Sequence, residues 1–140
     1  MREPNQTKRL VIYADDDPDD LQFVRESFAQ HASDIQLLTF TDAEELLYYL
    51  RNKKTASVPC LIILDINMPR LDGKTALKML RDIPGYEDIP VVLFTTSVSP
   101  HDARFGQTYG AGFISKPLTS WQMDSITRNF LDHCNESTKK

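Results

Sequence analysis

The stretch from Leu61 to Gly73, LIILDINMPRLDG, determines how the rest of the chain is interpreted. The stretch opens with four apolar residues, 61–64, and Cys60 before them extends the run to five. A continuous apolar run of this length is typical of strands covered on both faces of a parallel sheet. Asp65 follows this run directly, so the sequence predicts a carboxylate at the carboxyl end of a buried strand. In open α/β sheets, ligands bind outside these strand ends, which makes Asp65 the first candidate for a functional side chain.

Short apolar segments of this kind alternate with longer segments that carry helix signals. The predicted strands are residues 10–14, 35–40, 60–64, 91–95 and 112–115. The predicted helices begin at Pro18, at Thr41-Asp42-Ala43-Glu44, after Gly73, at Ser99-Pro100 and at Thr119-Ser120-Trp121-Gln122. Five strands that alternate with five helices favour a doubly wound (βα)5 fold, because crossovers between parallel strands are short and right-handed.

Capping residues indicate where the helices begin and end. Asp17 is predicted to cap helix 1. Thr41 and Glu44 form the capping-box pattern of helix 2, which is expected to run to about Asn52. Gly110 stands where a glycine in the left-handed conformation would end helix 4. These signals lie between predicted strands and therefore support the alternating order.

Polar side chains gather at the carboxyl ends of four of these strands. They are Asp15 and Asp16 after strand 1, Asp65 after strand 3, Thr95 at the end of strand 4 and Lys116 after strand 5. Three converging carboxylates would raise one another's pKa values, and a hard divalent cation such as Mg²⁺ relieves that repulsion. A carboxylate beside Mg²⁺ can attack phosphorus and form an acyl phosphate, while the metal and a lysine neutralise the transferring group. The pattern therefore predicts phosphoryl chemistry.

The composition is that of an ordinary globular domain with a local acidic feature. Its 140 residues suit one domain, and its net charge of −4 depends on the acidic run at residues 15–20. No apolar run exceeds five residues, so no bilayer-spanning segment is predicted. No basic stripe suggests a nucleic-acid surface.

The two cysteines, Cys60 and Cys134, are too few for a disulfide framework and lack the spacing of a metal site. They are expected to be buried or incidental thiols in a protein of a reducing, cytoplasmic compartment. The domain is expected to span residues 8–134, with polar, fraying termini at residues 1–7 and 135–140.

Four segments together resemble the receiver domain of two-component response regulators, the CheY-like family. They are Tyr13-Ala14-Asp15-Asp16-Asp17-Pro18, Asp65–Gly73, Thr95-Thr96-Ser97 and Lys116-Pro117. The resemblance covers nearly the whole chain, and the Asp-x-Asn-Met-Pro-x-x-Asp-Gly segment is its most specific part. It implies a flavodoxin-like three-layer sandwich with the parallel strand order 2-1-3-4-5, for which this family is itself a standard example.

The resemblance implies a role for each residue at the strand ends. Asp65 would be the phospho-acceptor and would share Mg²⁺ with other groups. Asp16 would bind the metal directly, Asp15 mainly through water and Asn67 through its backbone carbonyl. Lys116 would pair with Asp65 or with its phosphoryl group.

Further positions correspond to the family's switch and to the control of phosphoryl lifetime. Thr95 would contact the phosphoryl group after transfer, and Phe113 would turn inward with it. Asn67 and Ser97 flank the path of the attacking water in this family, so they are expected to tune phosphoryl lifetime. The peptide bond between Lys116 and the following proline is expected to be cis.

The resemblance also implies partners. The phosphoryl donor would be a phosphohistidine of a sensor histidine kinase, and the receiver would catalyse only its own phosphorylation and dephosphorylation. A downstream protein would bind the face formed by helix 4, strand 5 and helix 5, of which helix 4 is short and carries Gly106 in its interior. No nucleic acid or membrane partner is expected, a homodimer is left open, and the chain is expected to act as a single-domain regulator.

Other hypotheses stay open at this point. As a phosphorelay intermediate, the chain would pass its phosphoryl group to a histidine phosphotransfer protein. As an interaction module, it would act without phosphorylation. A phosphatase of the haloacid dehalogenase class also uses an aspartyl nucleophile, a lysine and Mg²⁺, but there a second aspartate stands two residues after the nucleophile, where this chain has Asn67.

Overall fold

The computed structural model describes residues 9–52, 58–97, 99–117 and 122–138. Within these ranges, five β-strands alternate with five α-helices. They are β1 (Arg9–Ala14), α1 (Pro18–His31), β2 (Ile35–Phe40), α2 (Ala43–Asn52), β3 (Leu61–Leu64), α3 (Gly73–Arg81), β4 (Val91–Thr95), α4 (Pro100–Thr108), β5 (Ala111–Ser115) and α5 (Gln122–Thr138). Every predicted strand is present, and its ends differ from the prediction by at most one residue.

The strands form one parallel sheet in the order β2-β1-β3-β4-β5, which confirms the predicted fold. Ala14 lies opposite Leu64, and Leu64 lies opposite Leu93. Strand pairing continues just beyond these residues, because the N–H of Asp65 donates to the carbonyl oxygen of Ala14 at 3.1 Å. The register therefore brings the residues that follow β1 and β3 to the same edge of the sheet.

Side chains on the two faces of the sheet build two apolar layers. The layer against α1 and α5 includes Val11, Tyr13, Ile63, Phe94 and Phe130. The layer against α2, α3 and α4 includes Ile12, Leu64, Leu77, Leu80 and Leu93. β3 contributes to both layers and is fully buried, which explains why its sequence is apolar throughout rather than alternating.

Helix α1 begins at its predicted signal, and α4 begins and ends at its predicted signals. Asp17 caps α1, because its side chain accepts hydrogen bonds from the N–H groups of Asp19 and Asp20. Ser99 caps α4, and Gly110 follows the end of that helix with a φ of 72°. A positive φ of this size is the left-handed conformation in which glycine commonly ends a helix.

The predicted cap of α2 is wrong by one residue. The helix begins at Ala43, and Asp42 rather than Thr41 caps it by accepting a hydrogen bond from the N–H of Glu45 at 2.8 Å. The other carboxylate oxygen of Asp42 pairs with Arg70 at 2.7 Å. Asp and Thr are both good capping residues, and the ion pair holds the aspartate in place for this role.

Helix α5 extends past its predicted end. It runs to Thr138, so the segment after Cys134 that was expected to fray is helical in its first residues. A hydrogen bond of 2.7 Å from Arg9 Nη1 to Asn135 Oδ1 ties this part of the helix to the start of β1. The predicted opening signal at residues 119–121 lies outside the described residues. None of the described helices has the length and apolar character needed to cross a membrane.

A disulfide bond joins Cys60, just before β3, to Cys134 in α5. The prediction of two free thiols is therefore wrong. The residues are 74 positions apart in the sequence, but their Cα atoms lie 4.7 Å apart. Both are buried in the layer between the sheet and α1 and α5. Their pairing depends on how α5 packs against β3 and leaves no signal in the cysteine spacing.

Reduction of this disulfide is expected to lower the free energy of unfolding by about 2–4 kcal/mol, because the bond closes a long loop in the unfolded chain. Urea titrations with and without dithiothreitol measure the change. The double variant Cys60→Ser/Cys134→Ser is the control, since its unfolding should not respond to the reductant. A wild-type midpoint that is the same in both buffers would contradict the expectation.

Candidate functional site

The turns after β1 and β3 bring three carboxylates together at the carboxyl edge of the sheet. Asp15 and Asp16 follow β1, Asp65 follows β3, and one oxygen from each carboxylate lies within 4.8 Å of the others. Asp15 and Asp65 are buried, with 0% and 5% exposure, whereas Asp16 is exposed. The cluster therefore has two buried charges and opens to solvent on the side of Asp16.

Gly73 fixes the turn that carries Asp65. Its N–H donates to the carbonyl oxygen of Ile66 at 2.8 Å. A Cβ atom at Gly73 would overlap the carbonyl oxygen of Asp65, so a side chain has no room there. Asp72 caps α3 by accepting a hydrogen bond from the N–H of Thr75 at 2.7 Å. The start of α3 thus lies directly against the residue that carries the central carboxylate.

The ammonium group of Lys116 neutralises part of this acidic cluster. Its Nζ atom lies 2.8 Å from Asp15 Oδ2, 3.3 Å from Asp65 Oδ2 and 2.6 Å from Asp20 Oδ2. Burial opposes the charge of the lysine, but its hydrogen bonds to Asp15 and Asp20 prevail and raise the pKa of Lys116 above its ordinary value. The lysine therefore remains a cation at neutral pH.

The surroundings of Asp65 disfavour its ionisation. Burial is the main cause, followed by the charge of Asp15, and together they raise the pKa of Asp65 to about 6. The ammonium of Lys116 acts in the opposite direction, as does the N–H of Asn67, which lies 3.4 Å from Asp65 Oδ1. A cation bound at the cluster would favour the charged carboxylate.

The donor set of the cluster fits a divalent metal ion. The candidate ligands are carboxylate oxygens, which are the hard ligands that such cations prefer. Their spacing within 4.8 Å is close enough for a single ion to be shared after small side-chain rotations. The exposed Asp16 leaves one side accessible, where waters or phosphate oxygens could complete the coordination of an ion such as Mg²⁺.

Tyr13 lies buried beside the cluster, and its hydroxyl donates to Asp15 Oδ2 at 2.5 Å. The contact arises because residues two positions apart on a strand point to the same face. Burial, followed by the charge of Asp15, raises the pKa of Tyr13 far above its ordinary value, so the hydroxyl remains a donor. The second oxygen of Asp15 accepts a hydrogen bond from the N–H of Asp17 at 3.0 Å. Both oxygens of this carboxylate are therefore engaged.

Thr95 is fully buried at the end of β4, and a chain of polar contacts joins it to α4. Its Oγ1 accepts a hydrogen bond from the N–H of Ser97 at 3.2 Å. The hydroxyl of Ser97 donates to Asp102 Oδ2 at 2.6 Å, and the other oxygen of Asp102 pairs with Lys74 at 2.7 Å. The hydrogen bonds from Lys74 and Ser97 lower the pKa of Asp102. The contacts thus connect β4 to the first turn of α4 through charged and hydrogen-bonded groups.

The structure also places the three remaining predicted site residues. Asn67 is exposed in the loop after β3, where its N–H faces the carboxylate of Asp65. Phe113 is half-buried on β5 and packs against the layer that faces α2, α3 and α4. Ser97 directs its hydroxyl toward α4 through its bond to Asp102.

The expected cis peptide bond between Lys116 and Pro117 is wrong, because the described residues contain no cis peptide bond. A bond before proline retains a trans preference of about 0.5–1 kcal/mol. The trans chain still allows the N–H of Lys116 to donate to the carbonyl oxygen of Thr95 at 2.8 Å. The lysine therefore reaches the carboxylates without a cis turn.

Sequence reasoning missed the contacts of several polar residues near the cluster. The period of two along β1 could have identified Tyr13, which lies two residues before Asp15. Asp20 lies in the first turn of α1, close in sequence to Asp15 and Asp16, so its approach to the cluster also had a local signal. The pairing of Lys74 with Asp102 depends on how α3 packs beside α4 and had none.

Comparison with known proteins identifies the family. Residues 11–128 match the response regulator receiver domain. The response regulator Rre1 of Synechocystis is 32% identical over 125 residues, which are 86% of this chain and 51% of Rre1. Rcp1 of the same organism is 27% identical over 73% of this chain and 71% of Rcp1. The chain thus spans about half the length of Rre1 and a larger part of Rcp1.

Solved structures agree with this assignment. The phosphorylated cyanobacterial phytochrome response regulator RcpA superposes with a TM-score of 0.79 at 26% identity, covering 89% of this chain and 94% of RcpA. A two-component response regulator from Legionella pneumophila superposes with a TM-score of 0.71 at 31% identity, covering 89% of this chain and 97% of that protein. The sequence match, the relatives and the strand order lead to one conclusion: the chain belongs to the response regulator receiver domain family.

Proposed function

We propose that this chain is a phosphorylation-dependent signalling receiver whose phospho-acceptor is Asp65. The observation that carries the proposal is the position of Asp65, 3.3 Å from the ammonium of Lys116 and within 4.8 Å of the ligand atoms of two further carboxylates. A carboxylate in this setting has one cation beside it and a binding place for a second. Two cations can neutralise a phosphoryl group during its transfer and after it is bound.

The phosphoryl donor is a phosphohistidine of a sensor histidine kinase. An oxygen of Asp65 forms a bond to phosphorus while the bond from phosphorus to the imidazole nitrogen breaks, and the imidazole takes up a proton as it leaves. Lys116 pairs with the phosphoryl oxygens. We assign Mg²⁺ to Asp15, Asp16, the acceptor Asp65 and the backbone carbonyl of Asn67, where it would supply further charge neutralisation. Water later hydrolyses the acyl phosphate and restores the free carboxylate.

The signal leaves the site through Thr95 and α4. A phosphoryl group on Asp65 offers acceptor oxygens to the Thr95 hydroxyl, which in the unphosphorylated protein accepts a hydrogen bond from Ser97. Movement of Thr95 would disturb the contact between Ser97 and Asp102 at the start of α4. Phe113 turns inward on the neighbouring strand in the same transition. A downstream protein then binds the face formed by α4, β5 and α5. The added charge at Asp65 thereby changes the surface that this partner recognises.

Incubation with Mg²⁺ and a small acyl phosphodonor is expected to add one phosphoryl group, because the groups that promote transfer belong to the receiver itself. Intact-mass spectrometry measures the gain, and a chelator should reduce it to background. An equal gain with and without the chelator would contradict the metal assignment. No gain, together with no conformational response to beryllofluoride as a phosphoryl mimic, would contradict phosphorylation and favour an interaction module.

A further inference from the structure

Asp15 is a buried carboxylate whose orientation is set by its partners. Oδ1 accepts a hydrogen bond from the N–H of Asp17 at 3.0 Å. Oδ2 accepts one from the hydroxyl of Tyr13 at 2.5 Å and lies 2.8 Å from Lys116 Nζ. The exposure of Asp15 is 0%, so water does not replace these partners in the folded protein.

Tyr13 differs from the other two partners in how firmly it is held. The N–H of Asp17 belongs to a surface turn, and the ammonium of Lys116 is shared with two other carboxylates. The side chain of Tyr13 is fully buried, and its ring meets that of Phe94 edge to face with the centroids 6.2 Å apart. Its hydroxyl is therefore carried by a rigid ring on a central strand of the sheet.

We propose that Tyr13 is a positioning residue for the metal site, where its hydroxyl holds the Asp15 carboxylate in the orientation that serves a divalent cation. The inference rests on the proposed function, because it presupposes a metal at Asp15, Asp16 and Asp65. Hydrogen-bond partners of metal ligands fix the orientation of those ligands, and their loss typically weakens metal binding about 10–100-fold. Without the hydroxyl, only the N–H of Asp17 and the shared ammonium of Lys116 would orient the Asp15 carboxylate.

Tyr13→Phe tests the inference because it removes the hydroxyl and keeps the ring. Isothermal titration calorimetry is expected to show an affinity for Mg²⁺ about tenfold weaker than that of the wild type. Tyr86→Phe is the matched control, since Tyr86 is also buried but lies in the apolar layer on the other face of the sheet. The control should bind Mg²⁺ like the wild type. Urea unfolding of all three proteins separates a change in metal binding from a change in stability.

A second measurement uses the wild type and does not depend on the folding of the variant. The hydroxyl proton of Tyr13 is held between a buried ring and a buried carboxylate, so it should exchange slowly with water and give its own proton NMR resonance. That resonance should shift when Mg²⁺ is added, because the Asp15 carboxylate that accepts the hydrogen bond from this hydroxyl then binds the metal. A resonance that ignores Mg²⁺ would show that the hydroxyl is not bonded to a carboxylate that serves the metal.

The outcomes distinguish this inference from the proposed function. Equal Mg²⁺ affinity in the wild type and Tyr13→Phe overturns the inference and leaves the metal site intact. An equal loss of affinity in Tyr86→Phe also overturns it, because the effect would then not belong to the site. If Tyr13→Phe does not fold, a resonance that ignores Mg²⁺ overturns the inference. A wild type that binds no Mg²⁺ overturns both the inference and the metal assignment.

Discussion

Asp65→Asn is expected to take up no phosphoryl group where the wild type gains one, and to resist urea better than the wild type in metal-free buffer at neutral pH. The amide lacks the charged oxygen that attacks phosphorus. It also lacks the charge that burial and the neighbouring Asp15 make unfavourable. The substitution should therefore move function and stability in opposite directions.

The pH dependence gives the sign and the size of the stability change. The surroundings raise the pKa of Asp65 to about 6 in the folded protein, above the value of about 3.9 expected in an unfolded chain. The folded state binds the proton of Asp65 more tightly than the unfolded state does. The stabilisation that this protonation gives is fully present below about pH 4 and is lost as the pH rises through about 6. Asparagine resembles the uncharged form. The variant should therefore be more stable by about 1–3 kcal/mol near pH 7.5 and similar in stability near pH 4.

Urea titrations in chelator at both pH values measure the stability, and intact-mass spectrometry measures the uptake. Asp132→Asn is the matched control because Asp132 is an exposed carboxylate of α5. It should keep the phosphoryl uptake and change stability by less than about 0.5 kcal/mol. Full phosphorylation of Asp65→Asn would refute the choice of acceptor. A stability difference that is the same at both pH values would refute its electrostatic cause.

Strand β3 illustrates why most of the fold could be predicted from the sequence. A strand that fills both layers of a sandwich must be apolar at every position, so its burial can be recognised without any knowledge of its neighbours. Helix ends were less predictable, because Thr41 and Asp42 are adjacent residues that can both cap, and the ion pair of Asp42 with Arg70 decides between them. The bond between Cys60 and Cys134 depends on packing alone. Local patterns carry no information about it.

The candidate site divides in the same way. Asp15, Asp65 and Lys116 could be grouped in advance, because each follows a strand and parallel strands end at one edge of the sheet. The hydroxyl of Tyr13 bonds to Asp15 because both side chains point to the same face of the sheet. This contact could be predicted only by first knowing on which face the Asp15 carboxylate lies. Tertiary contacts decide whether the peptide bond between Lys116 and Pro117 is cis or trans, because without those contacts the two isomers differ by only about 0.5–1 kcal/mol.

Gly73→Ala is expected to lower the free energy of unfolding by on the order of 4 kcal/mol or more, a loss found only where a specific clash or a network is involved. The added Cβ would overlap the carbonyl oxygen of Asp65 and lie 2.9 Å from the Cα of Ile66. These are backbone atoms, so no side chain can rotate away to relieve the clash. The start of α3 would have to move from the loop after β3, with the loss of the 2.8 Å hydrogen bond from Gly73 to Ile66.

Gly85→Ala separates this steric effect from the general consequences of replacing a glycine. Gly85 has a φ of +93°, and an added Cβ would meet no atom of a non-neighbouring residue within 4 Å. Its substitution should therefore lower the free energy of unfolding by only about 1–2 kcal/mol, the cost of holding alanine in the left-handed conformation. Urea titration measures both variants. Phosphoryl uptake by the folded fraction of Gly73→Ala should also fall, because the clash displaces the residue that carries the acceptor carboxylate. If Gly73→Ala were no less stable than Gly85→Ala, the close approach of α3 to Asp65 would not be what requires a glycine at this position.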